Sequence, residues 1–362
     1  MMTVVINCRF LTQPTTGVQR FAEQIVEYLT RGTSNLVLVA PPGQLSRTDF
    51  NGTPVRVIGS RGGHYWEQVQ LPRYLRRISP EALLVNLANT GPVRWKNQIV
   101  TLHDISYVRQ PESYSRRFRW FYGWLIPRLL RRARAILTVS EFSKREIQGF
   151  YHVDAARITV IPNAVDDDFL QAEAVPRGIH PRASYFLVVS SLNVHKNVGP
   201  FIEMFKRYRA TSGSSTELWI VGGRARSFTA GTLSAGGDGI RALGRVSDAE
   251  LVWLYRHARA FVFPSLYEGF GIPPLEAQAA GAPVLASNAA ALPEVLGQSA
   301  LLADPLAGEE MVTGLQRLDA DAELRDSLRA AGDSNLRRFS WERSAAVVMD
   351  VLRSVREGGR DV

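Results

Sequence analysis

The feature that most restricts this chain is a rhythm. Short β-branched runs alternate with longer amphipathic segments: TVVIN then GVQRFAEQIVEYLT, followed by NLVLVA, ALLVNL, QIVTLHD, AILTVS then EFSKREIQGFY, and ITVIPN. Strand-like runs separated by helix-length segments are the mark of βα units around a parallel sheet. The rhythm lapses at VIPNAVDDDFLQAEAVPRGIHPRAS, then starts again with YFLVVSS, NVGPFIEMFKRYRA, ELWIVGG, SDAELVWLYRHA, AFVFPS, a helix after Pro274, and APVLAS. We therefore expect two Rossmann-like, doubly wound α/β domains at 1–165 and 183–340, with a linker at 166–182. At 362 residues, two cores are what domains of ordinary size predict, and a ligand is expected in the cleft between them. Ser247 with Glu250 reads as a capping box that opens a helix. RSFTAGTLSAGGDG at 226–239 reads as a mobile surface loop. The amphipathic stretch FSWERSAAVVMDVLRSV predicts a terminal helix over 341–362.

Composition removes several classes. The single cysteine, Cys8, excludes a disulfide framework or a thiolate metal cluster and fits a reducing compartment. The start, MMTVVINCRFL, lacks a basic segment followed by an apolar stretch of secretory length, and no window reaches the apolar length of a membrane span. The expectation is a cytoplasmic protein. The net charge of +9 is uneven: residues 1–165 carry 22 Lys and Arg against 10 Asp and Glu, whereas 166–362 carry 21 against 24.

The most informative stretch is PSLYEGFGIPPLEAQAAGAPV, residues 264–284. AFVFPS reads as a buried strand and PLEAQAAG as a helix closed by Gly281, with prolines at its start where a missing N–H costs nothing. The turn LYEGFGI then sits at the carboxyl end of a parallel strand, where doubly wound sheets bind ligands. The amides of Gly271 and Ile272 precede a helix N-terminus, a natural anion site, and glycine lets a phosphate approach the chain closely. Glu276 falls in the first helical turn, within reach of a ribose hydroxyl. Glu268 falls before the turn, facing the cleft. Carboxylates accept well from vicinal hydroxyls. Taken as an isolated pair, the two glutamates read rather as a dipole-complementing residue and a solvated loop residue.

The whole stretch resembles the C-terminal signature of the family-4 glycosyltransferases of the GT-B fold, retaining enzymes that use nucleotide-activated sugars. The resemblance is carried by TTGVQRF, TLHDISYV, ILTVSEFSKREI, VIPNAVD, FLVVSSLNVHKN, IVGG, the block LGRVSDAELVWLYRHARAFVFPSLYEGFGIPPLEAQAAGAPVLASNAAALPEV, and FSWERSA. It covers most of the chain, and the long block is its most specific part. It implies a terminal helix that packs back towards the first domain, and an N-terminal acceptor domain followed by a nucleotide-sugar domain. By position it implies that Glu276 binds ribose. Glu268 contacts the donor sugar, with Gly269 and Phe270 beside it and the amides of Gly271 and Ile272 on phosphate or sugar. Lys196 in VHKN matches the lysine that neutralises the diphosphate, where a fixed ammonium stabilises the charge gained as the glycosidic bond breaks. Arg245 and Val246 match the segment lining the nucleobase. Gly17 matches a small loop residue against the donor phosphates, and His103 the histidine that touches the transferring sugar. Arg20 and Asp104 are assigned to the acceptor, Asp104 alternatively to capping the next turn.

Two positions depart from the family pattern. An arginine is usual just after the strand or just before the lysine, and here these places hold Ser191 and His195. The second phosphate cation is then either His195 or Arg20 of the first domain. The resemblance further implies departure and attack on one sugar face, with the protein positioning the reactants and stabilising charge. No cofactor and no metal are expected. Asp166, Asp167 and Asp168 read as a solvated cluster in the linker, and no H-E-x-x-H spacing occurs. TTGVQRF and HDISYV look most like bacterial mannosyl and related transferases of polysaccharide or O-antigen assembly. That favours GDP-mannose as donor, with UDP- and dTDP-sugars as alternatives, and a glycan or lipid-linked saccharide as acceptor.

YSRRFRWFYGWLIPRLLRRAR, 114–134, interleaves arginines with aromatics, and PRYLRRI adds more at 72–78. Such a segment either rests on the anionic inner face of the plasma membrane or is a helix with solvated arginines, and the charge asymmetry tips the reading to the membrane. Nucleic acid is not expected, since no recognition motif supports it. The rivals are a sugar-nucleotide epimerase of the same fold and a non-catalytic binding protein, which would leave Lys196, Glu268 and Glu276 without a purpose. A nicotinamide dehydrogenase is excluded: G-x-G-x-x-G after the first strand is absent, and GFGIPP runs into proline.

Overall fold

A computed structural model describes residues 3–32, 35–176, 178–179, 184–190, 193–222 and 239–358. It divides into two compact units: Met1–Val108, Tyr114–Asn163 and Ser340–Val362 form one, and Arg109–Ser113 with Ala164–Phe339 the other. Most of the segment at 226–239, and Ser191, lie outside the described residues.

The first unit is built on eight strands: β1 Val4–Asn7, β2 Leu36–Ala40, β3 Asp49–Phe50, β4 Thr53–Val57, β5 Leu83–Asn86, β6 Gln98–Thr101, β7 Ala135–Thr138 and β8 Ile158–Val160. They run in the order β3-β4-β2-β1-β5-β6-β7-β8, all parallel except β3. Its helices are α1 Gly17–Gly32, α2 Gly63–Tyr65, α3 Leu71–Ile78, α4 Ser106–Arg109, α5 Arg116–Arg132 and α6 Glu141–Tyr151. β1 is buried on both faces, as a central parallel strand must be. α1 buries Phe21, Ala22, Ile25, Val26 and Leu29, an apolar stripe at helical spacing.

The second unit has six parallel strands: β9 Tyr185–Val189, β10 Glu217–Val221, β11 Ile240–Gly244, β12 Ala260–Phe263, β13 Val284–Ser287 and β14 Leu301–Ala303. Their order is β11-β10-β9-β12-β13-β14. The helices are α7 Val198–Ser212, α8 Asp248–His257, α9 Ile272–Ala279, α10 Leu292–Leu296, α11 Gly308–Ala320 and α12 Ala322–Leu336. The Ser247 capping box is formed: Ser247 Oγ accepts from the Glu250 amide, and Glu250 Oε2 accepts from the Ser247 amide at 2.8 Å. The last helix, α13 Trp341–Glu357, belongs to the first unit and packs on α1.

Both sheets are α/β and doubly wound. In each, the first strand has neighbours to which the chain winds in opposite directions, so a switch point falls between β1 and β5 and another between β9 and β12. The sequence rhythm leaves out β3, β4, β11 and β14, which lie at or beside sheet edges. The β3–β4 hairpin turns through Asn51 (φ 49°) and Gly52 (φ 76°), an Asn-Gly turn whose positive φ angles match strand twist. Part of 166–182 is not a free linker. Phe169 is buried edge-on to Tyr255 at 6.4 Å, and the Ala174 amide donates to the Ala249 carbonyl at 3.1 Å. Among the described residues no helix is long and apolar enough to cross a membrane.

Candidate active site

The second unit brings together most of the residues expected to act on the donor. The loop after β9 carries His195 and Lys196, and the loop after β12 carries Glu268 to Gly271; these strands are neighbours at the switch point. Lys196 Nζ donates to Glu268 Oε1 at 2.6 Å and lies 5.6 Å from the centre of the Phe263 ring. The pair sits at a rim, with side-chain exposures of 20% and 13%. A paired but reachable ammonium can exchange its carboxylate for a phosphate, because both are anions with matching acceptor geometry.

Gly271 caps α9 at φ 95°, a conformation that glycine alone adopts readily, and a Cβ there would lie 2.7 Å from Leu292 Cδ2. Phe270 is buried edge-on to Phe339 at 5.4 Å. The turn is thereby held at the helix start, where Ile272 has the one N–H donor before Leu275. Pro273 and Pro274 occupy helical positions where no intrahelical N–H is needed. Glu276 is buried one turn on, and the Tyr255 hydroxyl donates to its Oε2 at 3.4 Å. Arg245 is exposed and follows β11 directly, with Val246 beside it.

His195 has another employment. It is buried; its amide and Nδ1 meet Ser113 Oγ at 3.2 and 2.9 Å, and its carbonyl accepts from the Leu266 amide at 2.7 Å and Ser265 Oγ at 3.1 Å. It ties the β9 and β12 loops together, which fixes the backbone from which Lys196 projects.

In the first unit, His103 follows β6 and is buried. Its amide donates to Asn89 Oδ1 at 2.9 Å and its Nε2 lies 3.0 Å from the Leu87 carbonyl. A carbonyl only accepts, so Nε2 carries the proton and Nδ1 is left as an acceptor in the neutral ring. Burial pulls the His103 pKa below its usual value, against the opposing pull of the Leu87 carbonyl and Asp104. Phe21 packs edge-on to the ring at 4.8 Å. Asp104 Oδ1 accepts from the Ser106 amide at 2.7 Å, the capping role of its two alternatives. Gly17 opens α1, and Arg20 lies in the first turn, its amide bonded to the Thr16 carbonyl at 2.9 Å.

Residues 172–334 match the family described as Glycosyl transferases group 1, and residues 15–169 match Glycosyltransferase Family 4. The O-antigen chain mannosyltransferase B of Escherichia coli is 31% identical over 69% of this chain and 68% of its own length. The chain belongs to the family-4 glycosyltransferases. The O-antigen chain mannosyltransferase RfbU of Salmonella typhimurium is 34% identical over 60% of this chain and 58% of its own, so the match spans little more than half of that relative. WaaG, a glycosyltransferase involved in lipopolysaccharide biosynthesis, superposes with a TM-score of 0.73 at 17% identity, covering 96% of this chain and 99% of its own. The sucrose-phosphate synthase of Thermosynechococcus elongatus gives 0.72 at 16%, over 99% and 100%. At such identities these structures speak to the fold, which is GT-B.

This family-4 chain also holds a polar centre that sequence reasoning missed. At the first unit's switch point, Arg9 Nε donates to Glu67 Oε1 at 3.1 Å, and Arg9 Nη2 to Thr90 Oγ1 at 2.7 Å. Asn7 Nδ2 reaches Glu67 Oε1 at 3.1 Å and Asn86 Oδ1 at 2.9 Å. Burial by itself would raise the Glu67 pKa, but Arg9, His64 and Asn7 hold it below its ordinary value of 4.5. The available signal was NCRF, polar residues directly after the first strand; Glu67 had none.

Proposed function

We propose that this chain is a retaining mannosyltransferase. It moves mannose from GDP-mannose to a glycan or lipid-linked saccharide acceptor in the synthesis of a cell-surface polysaccharide. The observation that carries this reading is the Lys196–Glu268 contact at the β9/β12 switch point, beside a glycine-capped helix start that also carries Glu276. The choice of sugar is supported by the two bacterial relatives, which are O-antigen chain mannosyltransferases.

In this reading the donor diphosphate lies on the amides of Gly271 and Ile272, and Lys196 turns from Glu268 to the phosphate. Its fixed charge then stabilises the leaving diphosphate as the glycosidic bond breaks. Glu268, released, accepts from hydroxyls of the sugar, and Glu276 from those of the ribose. Arg245 and Val246 border the base, and Gly17 leaves room for phosphate. The neutral His103 offers Nδ1 to a sugar hydroxyl. The arginine-rich α5 rests against an anionic membrane surface, where a lipid-linked acceptor is presented.

A panel of nucleotide sugars read by thermal shift tests the donor, because a ligand raises the melting temperature of the state it binds. GDP-mannose is expected to raise it most, and a larger rise with a UDP- or dTDP-sugar would replace it. Transfer is expected to be undiminished by a chelator, because neutralisation of the diphosphate is assigned to Lys196 and amides. Loss of activity restored by a divalent cation would contradict that assignment.

A further inference from the structure

The first unit has a groove of about 970 Å³ lined by parts of α4, α5 and the end of α6. Its floor holds Tyr107 and Tyr151, whose hydroxyls are hydrogen-bonded to each other. Its wall is the stripe of α5 that carries Arg116, Arg119, Trp120, Gly123, Pro127 and Arg131, positions at helical spacing. Two aromatic residues of the lining are open to solvent, Trp120 at 76% and Phe150 at 44% exposure. Gly123 adds no bulk to the lining, and a Cβ there would meet nothing within 4 Å.

The charge is as one-sided as the shape. α5 contains six arginines and no acidic residue. Arg116 and Arg131 are separated by roughly 22 Å of helix at 1.5 Å per residue, so cationic groups stand at both ends of an apolar trough. Exposed aromatic rings beside guanidiniums are unfavourable in water and favourable where a polar–apolar boundary meets negative charge. A bilayer surface offers that combination: phosphates at the depth of the arginines and acyl chain at the depth of the rings. Single-stranded nucleic acid also combines phosphates with stacking partners. It offers no aliphatic chain, however, for a trough lined by Gly123, Pro127 and Val108.

We propose that this groove is a seat for one anionic phospholipid of the bilayer, its phosphate between Arg116 and Arg119 and the first part of an acyl chain along Trp120, Gly123 and Pro127. The proposal rests on the membrane contact suggested above but is independent of the sugar donor. It replaces a general attraction with a defined site.

The test is co-sedimentation of the full chain with vesicles of phosphatidylcholine alone, or with about a third phosphatidylglycerol. Binding is expected only to the anionic vesicles and is expected to weaken with salt. At about 1 kcal/mol per surface arginine, Arg116→Gln with Arg119→Gln is expected to reduce the binding constant roughly 25-fold. The charge-matched control, Arg76→Gln with Arg77→Gln on α3, is expected to change it less than threefold. All four side chains are exposed, so the melting temperature should stay the same and report intact folding. Lipids brominated on the acyl chain should quench tryptophan emission, and Trp120→Ser should abolish most of that quenching. Equal loss in the two double variants would overturn the groove while leaving general surface attraction intact. Failure to bind anionic vesicles would overturn both. Displacement of vesicles by millimolar glycerol phosphate, or tighter binding to a single-stranded oligonucleotide than to vesicles, would assign the arginines to another ligand.

Discussion

The two switch points, one per sheet, are filled in opposite ways. At β9/β12 the central ion pair, Lys196–Glu268, sits at a rim with side chains 20% and 13% exposed. At β1/β5 the central pair, Arg9–Glu67, has 9% and 1% exposure and is locked by Asn7 and Thr90. Topology supplies the same crevice twice. What differs is whether its charges can change partners. A rim pair can release its ammonium to an incoming anion at modest cost. A buried, multiply hydrogen-bonded pair cannot, because separating it leaves a charge without solvent or partner. The first is the place to which the proposed chemistry is assigned, and the second is a fixed platform that joins the loops after β1 and β5.

The largest test of this contrast is to remove one charge from each pair. Lys196→Ala is expected to lower transfer turnover by about 100- to 1000-fold, the usual effect of losing one preorganised charge-stabilising group, while the melting temperature changes little. Glu67→Gln is expected to do the reverse. It should cost about 3 kcal/mol of unfolding free energy by leaving Arg9 buried without its partner, measured by denaturant titration. If Lys196→Ala unfolds the protein, or Glu67→Gln leaves stability untouched, the contrast is lost.

The same glutamate sharpens the contrast through pH. Its folded-state pKa lies below its ordinary value of 4.5, so the unfolded chain binds a proton first as the medium becomes acidic. Its stabilising contribution is thus complete above that value and is lost as pH falls through the lower folded-state value. Unfolding free energies measured from pH 7 to pH 3 should fall more steeply in the parent chain than in Glu67→Gln. Parallel curves would contradict the linkage.

Smaller effects separate roles within the second unit and across to His103. Glu276→Ala is expected to weaken donor binding about tenfold by calorimetry, since roughly 1–1.5 kcal/mol is the net value of such hydrogen bonds, with a lesser effect on turnover. Equal donor affinity in the variant would remove its assignment to ribose. The smallest effect concerns His103. Because burial keeps its ring neutral below the usual 6.5, donor affinity should not change as pH crosses that value. A break in affinity near pH 6.5 that disappears in His103→Gln would show that the ring does titrate there.

How much of this was legible in the sequence follows from distance along the chain. The second site is written in one stretch, because Glu268, Gly271 and Glu276 lie on a single strand–turn–helix and only Lys196 comes from elsewhere. The alternation of central strands was equally plain, since strands buried on both faces must be apolar. The platform was not legible: Asn7 and Arg9 meet Glu67, Asn86 and Thr90 across 58 to 81 residues, and no local pattern encodes a contact of that range. Strands at or beside a sheet edge follow the same rule: β4, next to the edge, contains Pro54, and the edge strand β14 has three residues, so the pattern expected of a central strand is weak there. His195 shows the converse. Read by position it was a candidate phosphate cation, yet its contacts with Ser113 and Ser265 make it the clamp behind Lys196.

Where a diphosphate ester binds, and what it does to one ion pair, decides between a donor site and a static contact. A crystal structure with GDP-mannose should place the diphosphate on the amides of Gly271 and Ile272, with Lys196 moved from Glu268 to a phosphate oxygen. A diphosphate bound elsewhere, with the 2.6 Å Lys196–Glu268 contact unchanged, would contradict the donor site.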